Sequence, residues 1–288
     1  MKFAVVGGDR RSALLCAMLE REGHRVQCFA LERGRLPTGV LRSGCLQGCL
    51  YGADCVVLPV PAETGALLNT PLSDYKVKTA ELIDCLWPHQ LLCGGKFSDE
   101  SCAQAARAGI NTVDLMRRAD FVTGNAAITA EGALWRLMEE SERTVQGLRV
   151  LVCGWGRIGK LLGLRLAALG AHVSVSARSG EDRAMIEALG LEAPEYCRLE
   201  GLIGGFDAVV NTVPARVITD PMLCMMADGA IVMELASPPG GFDRKLAENI
   251  GLRVLHAPGL PGVYAPESAA ALIKETVYRV ISEGEERL

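Results

Sequence analysis

Residues 148–178 read LRVLVCGWGRIGKLLGLRLAALGAHVSVSAR, and this stretch decides the fold. Its pattern predicts a buried strand (148–153), a glycine-rich turn, an amphipathic helix and a second strand (172–177). In the turn, Gly154 allows a sharp bend and Gly156 lets backbone N–H groups approach a pyrophosphate. Gly159 lets the helix pack close to the sheet. The stretch therefore predicts a β-α-β unit that binds a dinucleotide, and the alternative is a tight turn without a ligand.

The positive end of the predicted helix lies near Arg157, where a phosphate group is stabilised by the helix dipole. The second strand ends in Ala177-Arg178-Ser179, where NAD sites usually carry Asp or Glu. A guanidinium pairs well with a phosphate dianion, and the neighbouring hydroxyl adds a donor. Arg178 and Ser179 thus favour NADP over NAD, unless Arg178 is simply solvated at a strand end.

The composition limits the classes of protein to which this chain can belong. The chain has 288 residues, of which 49% are hydrophobic and 22% charged, so it is long enough for two globular domains. The net charge of −4 gives no reason to expect nucleic acid or an anionic membrane as a partner. No apolar run approaches the length of a membrane span, and we expect no signal peptide, because the first apolar run is short and leads into charged residues. The 11 cysteines lack metal-ligand spacing, so we expect no metal and a reducing cytoplasm.

The chain contains a degenerate duplication. Residues 2–29 and 149–176 both run strand, glycine turn, helix, Gly-x-His or Gly-His, strand. We therefore predict an α/β fold with two doubly wound, Rossmann-like parallel-sheet domains, separated by a cleft and linked by long helices. The expected boundaries are a substrate domain (1–128), a linking helix (129–146), a cofactor domain (147–265) and a terminal helix packing back on the first domain (266–288).

The first glycine turn, Gly7-Gly8-Asp9-Arg10-Arg11, lacks the dinucleotide pattern but carries two guanidiniums at the end of a strand. Such a loop is suited to carboxylates, so we expect a substrate-anion site there. The alternative is a surface turn with Asp9 as a helix cap.

Other short polar segments follow predicted strands or enter helices. Asn125 and Thr129 are expected in the segment that leads into the linking helix (129–145), where Thr129 could also serve as a cap. Asn211, Thr212 and Val213 follow a buried strand and are expected beside the nicotinamide ribose. The catalytic acid or base is not assignable. The candidates for proton transfer or carboxylate binding are His89, His256 and Lys96.

Taken in order, the blocks GGDRR, NAAITAEGA, GWGRIGK, SAR, NTVP, ASPPGG and APGLPGVYAPESA resemble the dipicolinate synthase A-subunit family over nearly the whole chain. The resemblance implies an NADP-dependent oxidoreductase that makes pyridine-2,6-dicarboxylate from the product of dihydrodipicolinate synthase during sporulation. The substrate would be a small cyclic dicarboxylate. The resemblance also implies a flavoprotein-like partner, the dipicolinate synthase B-subunit, and a location in the mother-cell cytoplasm of a spore-forming bacterium. We further expect a homo-oligomer.

The resemblance also implies roles for particular residues. Asp9, Arg10, Asn125 and Thr129 would face the substrate. The residues that would line the cofactor are Gly154, Gly156, Arg157, Ile158, Gly159, Arg178, Asn211, Thr212 and Val213. Two alternatives compete with this interpretation. The first is another two-domain oxidoreductase, of the alanine or shikimate dehydrogenase type. The second is a cofactor-binding scaffold whose partner performs the chemistry.

Overall fold

The chain folds into two α/β units in a computed structural model that describes residues 1–285. Unit 1 comprises residues 1–125 and the C-terminal segment that begins at Ala265, and unit 2 comprises Ala126–Tyr264. The strands, in chain order, are β1 (Lys2–Val6), β2 (Arg25–Phe29), β3 (Leu41–Arg42), β4 (Cys55–Val57), β5 (Glu63–Thr64), β6 (Leu67–Leu68), β7 (Leu91–Gly94), β8 (Asn111–Asp114), β9 (Arg149–Cys153), β10 (His172–Ser176), β11 (Ala208–Asn211), β12 (Ile231–Glu234) and β13 (Arg253–His256).

The helices lie between the strands and after the last one. They are α1 (Arg10–Arg21), α2 (Leu46–Leu50), α3 (Thr79–Asp84), α4 (Asp99–Arg107), α5 (Ala119–Glu140), α6 (Arg157–Ala168), α7 (Gly180–Ala188), α8 (Leu199–Leu202), α9 (Asp220–Cys224), α10 (Arg244–Asn249), α11 (Leu260–Tyr264) and α12 (Pro266–Glu285).

Each unit is built on one parallel sheet. The order in unit 1 is β3-β2-β1-β4-β7-β8, and the order in unit 2 is β10-β9-β11-β12-β13. In both sheets the chain starts centrally, winds to one edge and then crosses to the other side. The two doubly wound, Rossmann-like domains predicted from the sequence are confirmed. In such sheets ligands bind at the carboxyl ends of the strands where the direction of winding changes.

Apolar side chains cover both faces of each sheet, as parallel sheets require. In unit 2, Val150 and Val152 contact the cluster that includes α6, whereas Leu151 faces the opposite cluster. In unit 1, the corresponding alternation separates Val5 from Ala4 and Val6. The hydrophobic runs of β1 and β9 therefore reflect burial on two sides rather than helical periodicity.

The C-terminal helix α12 packs on unit 1. Its apolar residues Ala270, Ile273 and Val277 share a core cluster with Leu15 and Leu19 of α1. Where this packing ends, the Tyr278 hydroxyl and the His24 Nε2 atom lie 2.9 Å apart.

The predicted linking helix was wrong at both ends. Instead of spanning 129–145, α5 begins ten residues earlier, at Ala119, and ends at Glu140. Alanines are strong helix formers, so the polar residue Asn125 does not interrupt the helix. Gly124 fits because the Leu272 side chain occupies the space beside it, 2.7 Å from where a Cβ would stand. Thr129 is consequently a buried residue inside a helix and not a helix cap.

Other local predictions also needed correction. The apolar run 55–60 is a strand only as far as Val57, because Pro59 and Pro61 have no N–H to donate to a neighbouring strand. The sequence pattern did not predict β3, α2 or the small β5–β6 hairpin. These elements have five or fewer residues, too few for a periodic signal.

The buried side chain of Gln90 forms hydrogen bonds with three backbone groups of unit 1. Its Nε2 donates to the carbonyls of Leu50 and Ala53 at 2.8 and 2.9 Å, and its Oε1 accepts from Trp87 N at 2.9 Å. We expect Gln90→Ala to lower the free energy of unfolding by about 2–4 kcal/mol, because buried polar groups lose their partners. Urea denaturation measures this loss. The exposed Gln47→Ala is the control, and equal losses in both variants would contradict the prediction.

Candidate dinucleotide-binding site

The turn that leaves β9 is too tight for any residue but glycine at two positions. Gly154 has φ of +104°, and a Cβ there would stand 2.7 Å from Thr212 Oγ1 and from Val213 Cγ2. A Cβ on Gly159 would stand 2.1 Å from the carbonyl oxygen of Gly154. These contacts show that α6 starts directly against the turn, as the third glycine of the motif requires.

Gly156 differs from the other two glycines. A Cβ at this position would meet no protein atom within 4 Å, and its φ of −76° suits any residue. The protein therefore gives no packing reason for glycine there. Open space beside the N-terminus of a helix fits the role of letting a pyrophosphate approach the backbone.

A cavity of about 470 Å³, which we call the glycine-turn cavity, opens at the carboxyl ends of β9, β10 and β11. This position coincides with the change of winding direction between β9 and β11. Its lining consists of Cys153, Gly154, Trp155, Gly156, Ser176, Ala177, Arg178, Asp182, Tyr196, Thr212, Val213, Pro214 and Val217. Five predicted site residues are thus brought together: Gly154, Gly156, Arg178, Thr212 and Val213.

The N-terminus of α6 has unused donors. Gly156 is the cap residue and has no side chain to satisfy the first N–H groups of this 12-residue helix. Arg157 is exposed at the first helical position, Ile158 is half-buried and Gly159 is buried. None of these three lines the cavity, but they form the first turn of the helix whose N–H groups begin at its edge.

Arg178 lies exposed at the end of β10 and lines the cavity, whereas Ser179 has a structural role. The Ser179 hydroxyl caps α7: it accepts from Asp182 N at 3.0 Å and donates to Asp182 Oδ2 at 2.8 Å. The expectation that Ser179 offers a free donor beside Arg178 was therefore wrong. The Arg183 guanidinium donates to the Arg178 carbonyl at 3.1 Å and so helps to fix the backbone of this turn.

Asn211 has a fully buried side chain that forms its hydrogen bonds within the protein. Its amide nitrogen donates to Val213 O at 2.9 Å and to Glu234 Oε1 at 2.7 Å, and its oxygen accepts from Val213 N at 3.1 Å. Asn211 therefore shapes the turn that places Thr212 and Val213 in the cavity. Thr212 Oγ1 donates to the Cys153 carbonyl at 2.8 Å, which ties this turn to β9.

Cys153 lines the same cavity, but its thiol is not a nucleophile. Burial, reinforced by the charge of Glu234, raises the pKa of Cys153 to about 12. The thiolate is therefore scarce at neutral pH, and the residue acts as a small apolar wall.

Several residues of the cavity wall were not predicted from the sequence, among them Tyr196 and Val217. The Tyr196 hydroxyl donates to the Val217 carbonyl at 2.9 Å, which fixes the ring at the rim of the cavity. An aromatic residue between a helix and a strand gives no local sequence signal for this role. Pro214, by contrast, belongs to the NTVP block that follows β11, and it lines the cavity together with Thr212 and Val213.

The corresponding turn of unit 1 is closed by the chain itself. Gly8 N donates to the Asn69 carbonyl at 2.9 Å, and a Cβ on Gly7 would stand 2.9 Å from Thr70 Cγ2. The segment that follows β6 thus packs directly against the glycine turn of unit 1. The cap position of α1 is Asp9, whereas the corresponding cap position of α6 is Gly156.

Asp9 caps α1, which was the alternative interpretation of this loop. Its carboxylate accepts from Arg11 N at 2.9 Å and pairs with the Arg11 guanidinium at 2.8 Å, while Arg11 Nη2 also donates to Val60 O. Burial opposes ionisation of Asp9, but the contacts with Arg11 outweigh it and hold the pKa of Asp9 below its usual value. Arg11 is therefore committed to the protein, whereas Arg10 is exposed on the first turn of α1.

The remaining candidates lie in different places. Asn125 and Thr129 are one helical turn apart on α5. Lys96 follows the carboxyl end of β7 and is exposed, and its backbone N–H donates to Asp114 Oδ1 at 2.9 Å. His89 precedes β7, at the opposite edge of the sheet from the strand ends that bind ligands. Among residues 1–285, no group of three or more His, Cys, Asp and Glu side chains is placed to hold a metal ion.

The fold and the glycine-turn cavity define a dehydrogenase-type protein with a nicotinamide-dinucleotide-binding unit. Residues 112–237 match the family described as "D-isomer specific 2-hydroxyacid dehydrogenase, NAD binding domain". Residues 2–116 match the N-terminal domain of the dipicolinate synthase A-subunit. The chain belongs to the dipicolinate synthase A-subunit family, and the resemblance seen in the sequence is confirmed.

Three relatives support this assignment. The dipicolinate synthase A-subunit of Bacillus subtilis (strain 168) is 30% identical over 291 residues, covering 98% of this chain and 96% of the relative. The crystal structure of the A-subunit from Bacillus halodurans superposes with a TM-score of 0.87 at 28% identity, covering 97% of each chain. The crystal structure of the corresponding dipicolinate synthase chain from Bacillus subtilis gives a TM-score of 0.85 at 29% identity, covering 100% of this chain and 98% of the other.

No helix within residues 1–285 is both long enough and apolar enough to cross a membrane.

Gly156 provides a direct test of the open space beside α6. We expect Gly156→Ala to fold with an unchanged Tm and to bind NADPH and NADH at least about tenfold more weakly, because the added methyl group occupies the approach of the pyrophosphate. Calorimetry measures both affinities. Gly201→Ala, whose Cβ also meets open space, is the matched control. Unchanged affinity in Gly156→Ala would show that the phosphates do not approach this backbone.

Proposed function

We propose that this protein is an NADP-dependent dehydrogenase subunit that forms pyridine-2,6-dicarboxylate. The names of its relatives, which are dipicolinate synthase A-subunits, support this product. Its substrate would be the product of dihydrodipicolinate synthase, as the resemblance implies. The observation that carries the cofactor choice is Arg178 in the lining of the glycine-turn cavity, on the turn that follows β10. This is where dinucleotide sites contact the adenosine ribose, and a guanidinium there suits a 2′-phosphate.

The residues of the cavity fit a phosphorylated dinucleotide with one qualification. The first turn of α6 suits the pyrophosphate, and the apolar side chains of Val213, Pro214 and Val217 suit a flat base. Asp182 places a negative charge in the same cavity, which opposes a 2′-phosphate. Its carboxylate accepts a hydrogen bond from Ser179, and Arg178 supplies the opposite charge. The balance of these two charges would set the preference between NADP and NAD.

The proposed reaction needs little acid–base chemistry from the protein. Loss of water from the 4-hydroxy intermediate leaves a dihydropyridine dicarboxylate. Transfer of one hydride and release of one proton then give the aromatic ring. A bound oxidised nicotinamide supplies the hydride acceptor. The protein would orient the ring and stabilise its carboxylates, for which Arg10, Asp9, Asn125 and Thr129 are the proposed substrate residues.

Of these four residues, Arg10 has the strongest support. It is a cation on the first turn of α1, and no hydrogen bond or ion pair of its side chain is seen within residues 1–285. Asp9 would act indirectly, by holding the first turn of α1 in place, since its carboxylate is bound to Arg11. By the same resemblance, the partner would be the dipicolinate synthase B-subunit, and the location would be the mother-cell cytoplasm of a sporulating bacterium. The protein would also form a homo-oligomer.

The cofactor choice is tested by a pair of substitutions. We expect Arg178→Ala to raise the Kd for NADPH about 10- to 100-fold, because a charge-assisted bond of roughly 1.5–3 kcal/mol is lost. The Kd for NADH should change less than about threefold by the same reasoning. Asp182→Asn should instead tighten NADPH binding, since it removes a like charge. Equal losses for both cofactors in Arg178→Ala, measured by calorimetry, would contradict the NADP assignment.

The activity is tested on the purified chain, with NADP⁺ and freshly made dihydrodipicolinate synthase product, in the presence and absence of the B-subunit. We expect dipicolinate and NADPH to appear together, in equal amounts, when the chain is alone. Dipicolinate formed only in the presence of the partner would favour the scaffold alternative. No dipicolinate in either sample, with turnover of L-alanine or shikimate, would favour another two-domain dehydrogenase.

A further inference from the structure

A second cavity, of about 480 Å³, lies in unit 1 between the first turns of α1 and the loop that follows β2. We call it the arginine cavity. Its lining consists of Arg10, Ala13, Leu14, Arg33, Gly34, Arg35 and Leu72. It lies near the carboxyl ends of the adjacent strands β1 and β2, the edge at which open α/β sheets bind ligands.

The loop that carries Arg33 and Arg35 is held in place by its backbone. The Arg42 guanidinium donates to the carbonyls of Glu32 and Gly34, both at 2.9 Å. In addition, Arg33 N donates to Leu72 O at 3.0 Å and Gly34 N donates to Leu31 O at 2.9 Å. Gly34 is buried against α1, where a Cβ would stand 3.3 Å from Ala13 Cβ. The two arginines therefore project from a loop fixed against α1.

The charges of the arginine cavity are poorly balanced by the protein. Arg33 pairs with Asp74 at 2.8 Å and its Nη2 donates to the carbonyls of Pro71 and Ser73, both at 3.1 Å, but the side chain of Asp74 is 94% exposed and the carbonyls carry no net charge. Arg10 and Arg35 form no ion pair or hydrogen bond through their side chains in the part of the chain that the structure describes. Three guanidiniums around one concave surface repel each other, and their repulsion is relieved when an anion binds. The N-terminus of the 12-residue helix α1 adds to the positive potential.

The shape and lining restrict the chemistry of that anion. The volume lies within the range of small-molecule sites and is larger than a single inorganic phosphate needs. Ala13, Leu14 and Leu72 provide an apolar surface, whereas the guanidiniums provide planar pairs of donors that match carboxylate or phosphate oxygens. A ligand with an organic body and two or more acidic groups satisfies both features.

We infer that the arginine cavity is a binding site for a small organic polyanion, with Arg10, Arg33 and Arg35 as its cationic residues. Arg33 and Arg35 belong to the segment 31–50, in which the sequence shows no motif. The inference shares Arg10 with the proposed substrate residues, but it stands on the geometry of the cavity and not on the proposed reaction. A carboxylated reactant and a phosphorylated metabolite offer the same chemistry to this site.

Calorimetry without cofactor tests the inference. The probes are pyridine-2,6-dicarboxylate, fructose 1,6-bisphosphate and, as a monoanion, benzoate. We expect at least one polyanion to bind more tightly than benzoate, with an affinity that falls as salt rises. Binding of the dicarboxylate alone would identify a reactant site, and binding of the bisphosphate alone would identify a site for a phosphorylated metabolite. If neither polyanion binds the wild-type chain, the inference is overturned.

Substitutions locate the site. Arg10→Ala and Arg35→Ala should each raise the Kd of the bound polyanion about tenfold or more, with an unchanged Tm, because each removes a charge-assisted bond. Arg21→Ala is the matched control, because it removes the same charge from the exposed last turn of α1. Equal weakening in Arg21→Ala would show that only net charge matters and would overturn the site. NADPH affinity, measured separately, reports on the proposed function, so either conclusion can fail without the other.

Discussion

The contact between the start of α6 and the turn that leaves β9 is the constraint on which the functional site depends. Gly159 lies so close to Gly154 that a single added carbon would stand 2.1 Å from a carbonyl oxygen. This contact fixes where the helix begins, and therefore where its unpaired N–H groups point. No side chain separates the helix from the turn. The first turn of α6 therefore lies beside the glycine-turn cavity, at the carboxyl ends of three strands.

The two units show how the same β-α-β opening serves different ends. In unit 2 the cap position of α6 is Gly156 and the space beside it is open, whereas in unit 1 the cap position of α1 is Asp9, whose carboxylate is bound to Arg11. Unit 1 instead leaves a cavity farther along the same sheet edge, lined by arginines from α1 and from the loop after β2. A duplicated fold thus keeps its ligand-binding edge while the loops change what that edge can bind.

Polar residues near the site were the least predictable part of it. Ser179 and Asn211 are hydrogen-bonding residues at strand ends, as ligand-binding residues often are, yet both satisfy neighbouring groups of the protein. Buried polar groups need partners, and backbone N–H and carbonyl groups at a strand end are the nearest ones available. Whether such a side chain faces a ligand depends on the local turn. Tyr196 shows the converse, since it reaches the cavity from a segment without any motif.

The sequence by itself determined the two parallel sheets, the position of the glycine turn and the family, because hydrophobic runs and glycine spacing are local signals that packing does not override. It also located Arg178 at the end of β10. Only the tertiary structure decided that Leu272 of α12 packs beside Gly124 of α5, that the Arg11 guanidinium reaches the carbonyl of Val60, and that Arg33 and Arg35 share a cavity with Arg10. These outcomes depend on contacts between residues far apart in the chain, and no local pattern encodes which partners a polar side chain finds.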